Sequence, residues 1–258
     1  MEGAVRPTGP TRSLGWLVIC FLVLPITIVF PVSLTDRRYL SLPQDAISFE
    51  HYANLFGSRE WLGSIGQSLY IGVFSTVIAV AAGTLCAIGC WRAAAWPAEA
   101  VRLLALTPLI VPTIVYALGL YRFYADIGLL DSYSGVILAH AAIGLPYVLI
   151  TVGAALANFD RRLEQAARNL GASLPQALRL VVVPGIMPGI LAGALFAFVN
   201  SWDELVILLF IASRRVTTLT RLIWDGVHES LDPVIAAVAA TLVLVTILLV
   251  IPLARLRR

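Results

Sequence analysis

Six apolar runs, each about twenty residues long or longer, dominate this 258-residue sequence. They cover approximately residues 14–34, 62–90, 101–121, 133–157, 186–211 and 234–253. Because a helix rises about 1.5 Å per residue, about 20 residues cross a hydrocarbon layer roughly 30 Å thick. Backbone polar groups in that layer must be hydrogen-bonded within the segment, which favours helices. The sequence therefore predicts an all-α polytopic membrane protein with six transmembrane helices, forming a single domain over residues 1–258.

The composition agrees with a membrane-embedded chain, since 59% of the residues are hydrophobic and only 13% are charged. The first run is longer than the apolar part of a signal peptide and lacks an A-x-A cleavage site, so we expect it to be a retained span. A polar segment follows it, in which Ser48 is predicted to cap a short surface helix. Cys20, Cys86 and Cys90 lie in apolar runs without zinc-site spacing, so we expect packing roles and no metal site.

All eighteen basic residues are arginine. Without lysine the G-x-x-x-x-G-K-[ST] phosphate loop is impossible, so any ATP-driven work requires a partner. The net charge of +3 is too small to indicate nucleic acid binding. Eleven arginines lie in the tails and in the loops around residues 91–102 and 158–185, and seven lie in the alternate loops. The positive-inside rule therefore predicts that both termini are cytoplasmic.

The loop at 158–185 carries a helical pattern. Leu163, Ala166, Ala167 and Leu170 recur at helical spacing, and Gly171 supplies a helix stop. Ser173 can cap a second short helix with Pro175 in its first turn. The pattern predicts a helix–Gly–helix elbow, and it is equally compatible with an ordinary amphipathic connector.

The same loop resembles the motif E-A-A-x(3)-G-x(9)-I-x-L-P of permeases from binding-protein-dependent ABC importers. Ala166, Ala167, Gly171 and Pro184 match it at full spacing. Gln165 stands where the family has glutamate, and Glu164 lies one position earlier. The resemblance implies that these six residues couple the chain to an ATPase, with the acidic contact weakened or carried by Glu164.

The resemblance implies a type I ABC importer permease fold in the bacterial inner membrane and no enzymatic activity or cofactor in this chain. The implied partners are a second permease subunit, two ATPase subunits that bind ATP and Mg²⁺, an extracytoplasmic solute-binding protein and membrane lipid. Residues 47–56 and 138–147 resemble the spermidine/putrescine branch. That branch transports small organic solutes and metal ions, so the cargo stays open.

Three residues in the fifth run are candidates for the substrate pathway: Trp202, Asp203 and Glu204. An ionised carboxylate inside a membrane span costs on the order of 2.5–3.5 kcal/mol, so the acids should face protein, water or a cation. In the resembled permeases an acidic pair is expected along the pathway, and the aromatic face of Trp202 also suits an organic cation. The alternative is that the span ends near Phe198 and the acids lie in an outer vestibule. His140 is interpreted as a helix-packing hydrogen bonder, with a proton-relay or ligand role as the alternative.

Two other functional classes compete with an ABC permease. An ion-coupled secondary transporter requires an ion site within one chain and usually repeated halves, and no such halves are visible in the sequence. An intramembrane enzyme is disfavoured because H-E-x-x-H and G-x-S-x-G are absent. Neither class accounts for the motif at 158–185.

Overall fold

The computed structural model describes residues 9–93, 96–229 and 231–256, which are helical apart from loops and contain no strand. The long helices of this described part are α1 (Gly9–Ser33), α3 (Arg59–Ala93), α6 (Tyr133–Ala157), α10 (Met187–Asp203) and α13 (Val234–Leu256). The shorter helices are α2 (Glu50–Gly57), α4 (Trp96–Ile110), α5 (Thr113–Ile127), α7 (Arg161–Asn169), α8 (Leu174–Ala177), α9 (Val183–Gly185), α11 (Val206–Ile211) and α12 (Leu219–Glu229). A π-helical turn, Leu178–Val182, joins α8 to α9.

Three helices, α1, α3 and α6, are each long and apolar enough to cross a membrane. Two bent pairs raise the count to five if each pair is one span: α4 with α5, bent by 104°, and Leu174–Gly185 with α10, bent by 71°. Val234–Leu248, within α13, is a shorter apolar helical stretch in the described part of the chain. The all-α class is thus confirmed, whereas the count of six spans stays a prediction.

Two of the predicted runs are interrupted. The run at 101–121 is divided between α4 and α5, because Pro112 lacks the N–H that would continue the helix and disfavours helical geometry at Val111. The run at 186–211 is divided between α10 and α11, and the backbone of Glu204 between them is extended, with ψ 117°. Both interruptions leave helix ends inside an apolar region, where their polar groups need partners.

The chain divides into two compact units, residues 1–63 with 223–258 and residues 64–222. In the described part of the first unit, α13 packs against α1 and α2. The hydroxyl groups of Ser33 and Tyr52 lie 2.7 Å apart and connect the end of α1 to α2. The short helix predicted after Ser48 is confirmed as α2, but its N-cap is Phe49 instead of Ser48. Ser48 Oγ, one residue earlier, accepts the N–H of Glu50 at 3.2 Å.

The second unit is built around α6 and α10, which approach each other closely. Small residues recur every fourth position on α10, at Gly189, Gly193, Ala197 and Ser201. A Cβ atom added to Gly193 would lie 2.6 Å from Thr151 Oγ1 and 2.9 Å from the Cα atom of Val148. Such a stripe lets two backbones pack in direct contact, which drives helix association in membranes. The stripe fixes the end of α10, and therefore the position of the residues that follow it.

Candidate functional site

The predicted elbow is confirmed in shape. The carboxylate of Asp160 accepts the N–H of Arg162 at 2.9 Å and caps the start of α7. The chain then turns at Gly171, whose φ of +94° lies in a region that side chains with a Cβ rarely adopt. The N–H of Ser173 donates to Gln176 Oε1 at 2.8 Å at the start of α8. Residues 160–180, called the elbow below, therefore form two helices that meet at a glycine.

The elbow presents small and apolar groups to its surroundings. Gln165 and Ala166 are exposed, Ala167 is half-buried, and Leu163 and Leu170 on the same helix are exposed. Gly171 is also exposed, and no heavy atom lies within 4 Å of the position of an added Cβ. Such a surface leaves room for close packing by another protein. The sixth predicted coupling residue, Pro184, lies beyond the elbow in α9.

Glu164 points inward, unlike its neighbours. It is buried and forms an ion pair with Arg92 near the end of α3. The guanidinium of Arg161 lies 4.5 Å above the ring of Trp91 and also donates to the Trp91 carbonyl at 2.7 Å. Phe159 contacts the same indole edge to face, with ring centroids 6.1 Å apart. Trp91, Arg92, Phe159, Arg161 and Glu164 thus form a clasp that fastens the elbow to α3.

No sequence pattern predicts the clasp. Trp91 and Arg92 lie about seventy positions before their partners, so no local pattern connects them. The available signal was the i, i+3 spacing of Arg161 and Glu164, which places both side chains on one helix face. The clasp occupies the carboxylate of Glu164 inside this chain. Its predicted role as a replacement acid toward an ATPase stays a prediction that has to compete with this ion pair.

The helix breaks surround a polar cavity of about 310 Å³. Its walls are the α4–α5 junction at 108–113, one side of α6 and the end of α10. The side chains that complete it are Tyr116, Ile143, Tyr147, Asn200 and Glu204. A second cavity of about 260 Å³ shares Tyr147, Asn200 and Glu204 with the first and is also lined by Asp203. Discontinuous helices that line such a cavity are typical of substrate sites in transporters.

Asp203 and Glu204 both line the second cavity, and Glu204 lines the first as well. Glu204 is half-buried, and its Oε1 accepts the N–H of Ile207 at 2.9 Å, so it caps the start of α11. Asp203 is exposed and lines the second cavity. One acid therefore has a structural hydrogen bond as well as cavity exposure, and the other has an open carboxylate. This arrangement can receive a cationic group.

Trp202 has a different environment. Its ring stacks on Phe198 with centroids 5.9 Å apart, and its carbonyl accepts the hydroxyl of Thr220 at 2.7 Å. It is not among the described residues that line the two cavities. The predicted contact between its ring and a cation stays a prediction. The aromatic residue that does line both cavities is Tyr147, whose ring stacks on Phe196 at 6.5 Å.

His140 lies in a buried chain of polar groups beside this site. Its Nδ1 is 2.8 Å from Ser201 Oγ, which in turn lies 3.0 Å from Ser75 Oγ. The three residues belong to α6, α10 and α3, so the chain connects all three helices. This geometry supports the helix-packing interpretation of His140. It also holds α10 one turn before its break.

The sequence predicts the two acids but not the α4–α5 junction, which lines the first cavity together with Glu204. Pro108 and Pro112 are four positions apart, and Pro112 has no N–H for the carbonyl of Pro108. That spacing was the signal for a broken helix. Among the residues of the described ranges, no group of three His, Cys, Asp or Glu is placed to hold a metal ion. Cys90 donates to the Ala98 carbonyl at 3.3 Å.

The sequence and the fold are similar to those of known transport proteins. Residues 79–258 match the protein family described as binding-protein-dependent transport system inner membrane component. The chain is 28% identical to the spermidine/putrescine transport system permease protein PotC of Haemophilus influenzae over 236 residues. The aligned region covers 92% of this chain and 91% of PotC. It is also 30% identical to the putrescine transport system permease protein PotI of Escherichia coli over 204 residues, an aligned region that covers 75% of this chain and 71% of PotI.

A solved structure shows the same fold. It is a bacterial ABC transporter involved in the import of the acidic polysaccharide alginate, with a TM-score of 0.68 at 16% identity. The match covers 98% of this chain and 99% of that chain. The resemblance drawn from the elbow motif is thereby confirmed. This chain belongs to the family of binding-protein-dependent transport system inner membrane components, the membrane permease subunits of ABC importers.

Proposed function

We propose that this permease forms, with a second permease subunit, the membrane pathway for a small organic cation of the polyamine type. Two separate ATPase subunits bind ATP and Mg²⁺ and drive transport, and an extracytoplasmic binding protein delivers the substrate. The permease itself performs no chemistry on its cargo. The observation that carries the cation assignment is the second cavity, at the end of α10, which both Asp203 and Glu204 line.

The charges of this cavity explain the assignment. A carboxylate within a membrane protein is costly unless a counter-charge or water reaches it. No arginine lines either cavity among the described residues, and Tyr147 adds an aromatic wall that attracts ammonium groups. A cation that enters the cavity therefore lowers the electrostatic cost of the two acids. The names of the polyamine permeases among the relatives support the same class of substrate.

The elbow explains how ATP use is coupled to this cavity. We place it, with both chain termini, on the cytoplasmic side, where it seats in a groove of an ATPase subunit. When the two ATPases close on ATP, they draw the elbows of both permease subunits together. The pathway then opens outward to accept the substrate and returns inward after hydrolysis.

Orientation has a direct test. In a variant without native cysteines, a cysteine introduced by Ala172→Cys is expected to react with membrane-impermeant thiol reagents only from the cytoplasmic side. Inside-out vesicles supply that side, and intact cells supply the other. Labelling of intact cells from outside would contradict the assigned topology.

The cation assignment is tested by removing the two charges with Asp203→Asn and Glu204→Gln. Insertion should become easier, because neutral amides cost less in the membrane than carboxylates. Uptake of radiolabelled spermidine or putrescine into proteoliposomes should nevertheless fall, while assembly and basal ATPase activity stay at wild-type levels. Asp126→Asn removes an exposed carboxylate of α5 as the matched control. Unchanged uptake by the double amide variant, or a substrate that proves to be an anion, would show that the acids are structural.

A further inference from the structure

The exposed charge of the elbow is predominantly positive. Its two acids are both engaged within the chain, Asp160 as the cap of α7 and Glu164 in the ion pair with Arg92. All four arginines of the elbow, Arg161, Arg162, Arg168 and Arg179, are exposed and have no ion pair with any described residue. The elbow therefore offers cations, and no comparably free carboxylate, to whatever docks on it.

Two of these arginines line a cleft. The cleft has a volume of about 180 Å³ and lies between the end of α3 and the inner side of α7. Its lining side chains are Trp91, Arg92, Arg161, Glu164, Gln165 and Arg168. Three guanidinium groups thus face a single carboxylate. Arg92 pairs with that carboxylate and Arg161 is held on Trp91, which leaves Arg168 without an anionic partner in the described chain.

We propose that this cleft receives an acidic side chain of the ATPase subunit, with Arg168 as its main cation and the Gln165 amide as a second donor. The inference rests on the proposed function, in which the elbow seats on an ATPase. It goes beyond that function because it assigns the sign of the contact. At the position of Gln165 the resembled permeases carry the acid themselves, whereas here the cations belong to the permease and the acid to its partner.

The chemistry of the cleft fits a carboxylate. An arginine guanidinium presents paired N–H donors whose spacing matches the two oxygens of a carboxylate. The fixed guanidinium of Arg161 adds a second positive charge to the same cleft. A protein partner is favoured over lipid because α7 also exposes Leu163, Ala166 and Leu170 outside the cleft, a surface of small and apolar groups that suits packing against protein.

The test uses the purified ATPase subunit and the permease in nanodiscs of phosphatidylcholine. Dissociation constants are measured at about 0.1 M and about 1 M salt, between which the screening length falls from about 10 Å to about 3 Å. Arg168→Gln should weaken binding about tenfold at the lower salt, and its affinity should depend less on salt than that of the wild type. Arg168→Lys keeps the charge and should restore part of the affinity. Arg179→Gln, on the same elbow outside the cleft, should change binding about twofold or less.

Each result decides the proposal. If the wild type binds and Arg168→Gln binds equally well with the same salt dependence, the cleft does not hold an acidic side chain of the ATPase. If Arg168→Gln weakens binding only when the nanodiscs contain anionic phosphatidylglycerol, the cleft holds a lipid headgroup and the proposal is wrong. If the wild type itself fails to bind the ATPase, the proposed function fails and the proposal fails with it.

Discussion

The clasp between the elbow and α3 can be broken one residue at a time. Arg92→Ala and Glu164→Ala each remove one member of the ion pair, and the double variant removes both. The side chains of Arg92 and Glu164 are 31% and 10% exposed, so the pair lies between a surface pair and a buried one. Exposed pairs contribute about 0.2–1 kcal/mol, whereas removing one member of a buried pair costs about 3–5 kcal/mol. We therefore expect an interaction energy of about 1–2 kcal/mol for this pair.

The assay is a double-mutant cycle on the thermal unfolding of the purified permease in nanodiscs. For a chain of this size about 1 kcal/mol corresponds to about 2–4 °C in Tm, so each single variant should melt several degrees lower. The double variant should melt little lower than either single one, because both singles lose the same ion pair. Arg102 and Glu99 supply the control cycle, since they are 55% and 60% exposed and their closest charged atoms are 3.9 Å apart. Their interaction energy should stay below about 0.5 kcal/mol.

A purely additive cycle for Arg92 and Glu164 would refute this reasoning. It would mean that the contact contributes no more than an exposed pair and that the elbow is not fastened to α3 through it. The same result would release Glu164 for the contact with the ATPase that its place in the sequence motif predicts. An interaction energy of the expected size would keep it inside the chain.

Three further predictions concern packing, coupling and pH. Gly193→Ala should reduce the yield of folded protein and destabilise it by about 1–3 kcal/mol, because the new methyl group would lie 2.6 Å from Thr151 Oγ1 on α6. Gly153→Ala is the control and should change neither quantity, because no atom lies within 4 Å of its new methyl group. The Gly171→Arg variant should still insert into the membrane but lose substrate-stimulated ATPase activity in the assembled complex. The reason is that a long side chain on a residue with φ +94° disrupts the elbow surface. Full transport by this variant would contradict the coupling role. Burial acts to raise the pKa of Asp131, but backbone N–H donors from Ser213 and its neighbours outweigh it and lower the pKa. The ionised carboxylate should therefore protect the Ser213 amide from hydrogen exchange at pH values above the ordinary pKa of aspartate, and this protection should be lost as the pH falls through the lowered pKa. In the Asp131→Asn variant the Ser213 amide should be weakly protected at every pH.

The lengths of the apolar runs predicted the helical class, because each membrane span must satisfy its backbone hydrogen bonds within its own segment. The elbow was predictable for a similar reason, since Gly171 and Ser173 act on the backbone within a few residues. Positions of helix breaks were harder to predict. Pro25 and Pro146 lie inside continuous helices, whereas Pro112 lies in the break between α4 and α5, so a proline alone does not determine where a helix ends.

Long-range partners were beyond local patterns. In the sequence, Glu164 has the pattern of a surface acid in a helical loop, because its partner Arg92 lies seventy-two positions earlier. The cost of carboxylates in a membrane singles out the acidic pair in the sequence, but the cavity beside Glu204 depends on how the α4–α5 junction lies against α10. The polar lining of that cavity comes from three separate segments, and only tertiary packing brings them together.

The most direct test of the account is uptake by the complete complex reconstituted in proteoliposomes. This chain, its partner permease and the ATPase subunits are inserted, with the binding protein and radiolabelled spermidine or putrescine on one side of the membrane. We predict that the labelled amine accumulates only when ATP and Mg²⁺ are present on the opposite side, where the elbow meets the ATPase, and that a non-hydrolysable ATP analogue does not support it. Uptake by this chain alone, driven by an ion gradient without ATP, would contradict the account and identify a secondary transporter.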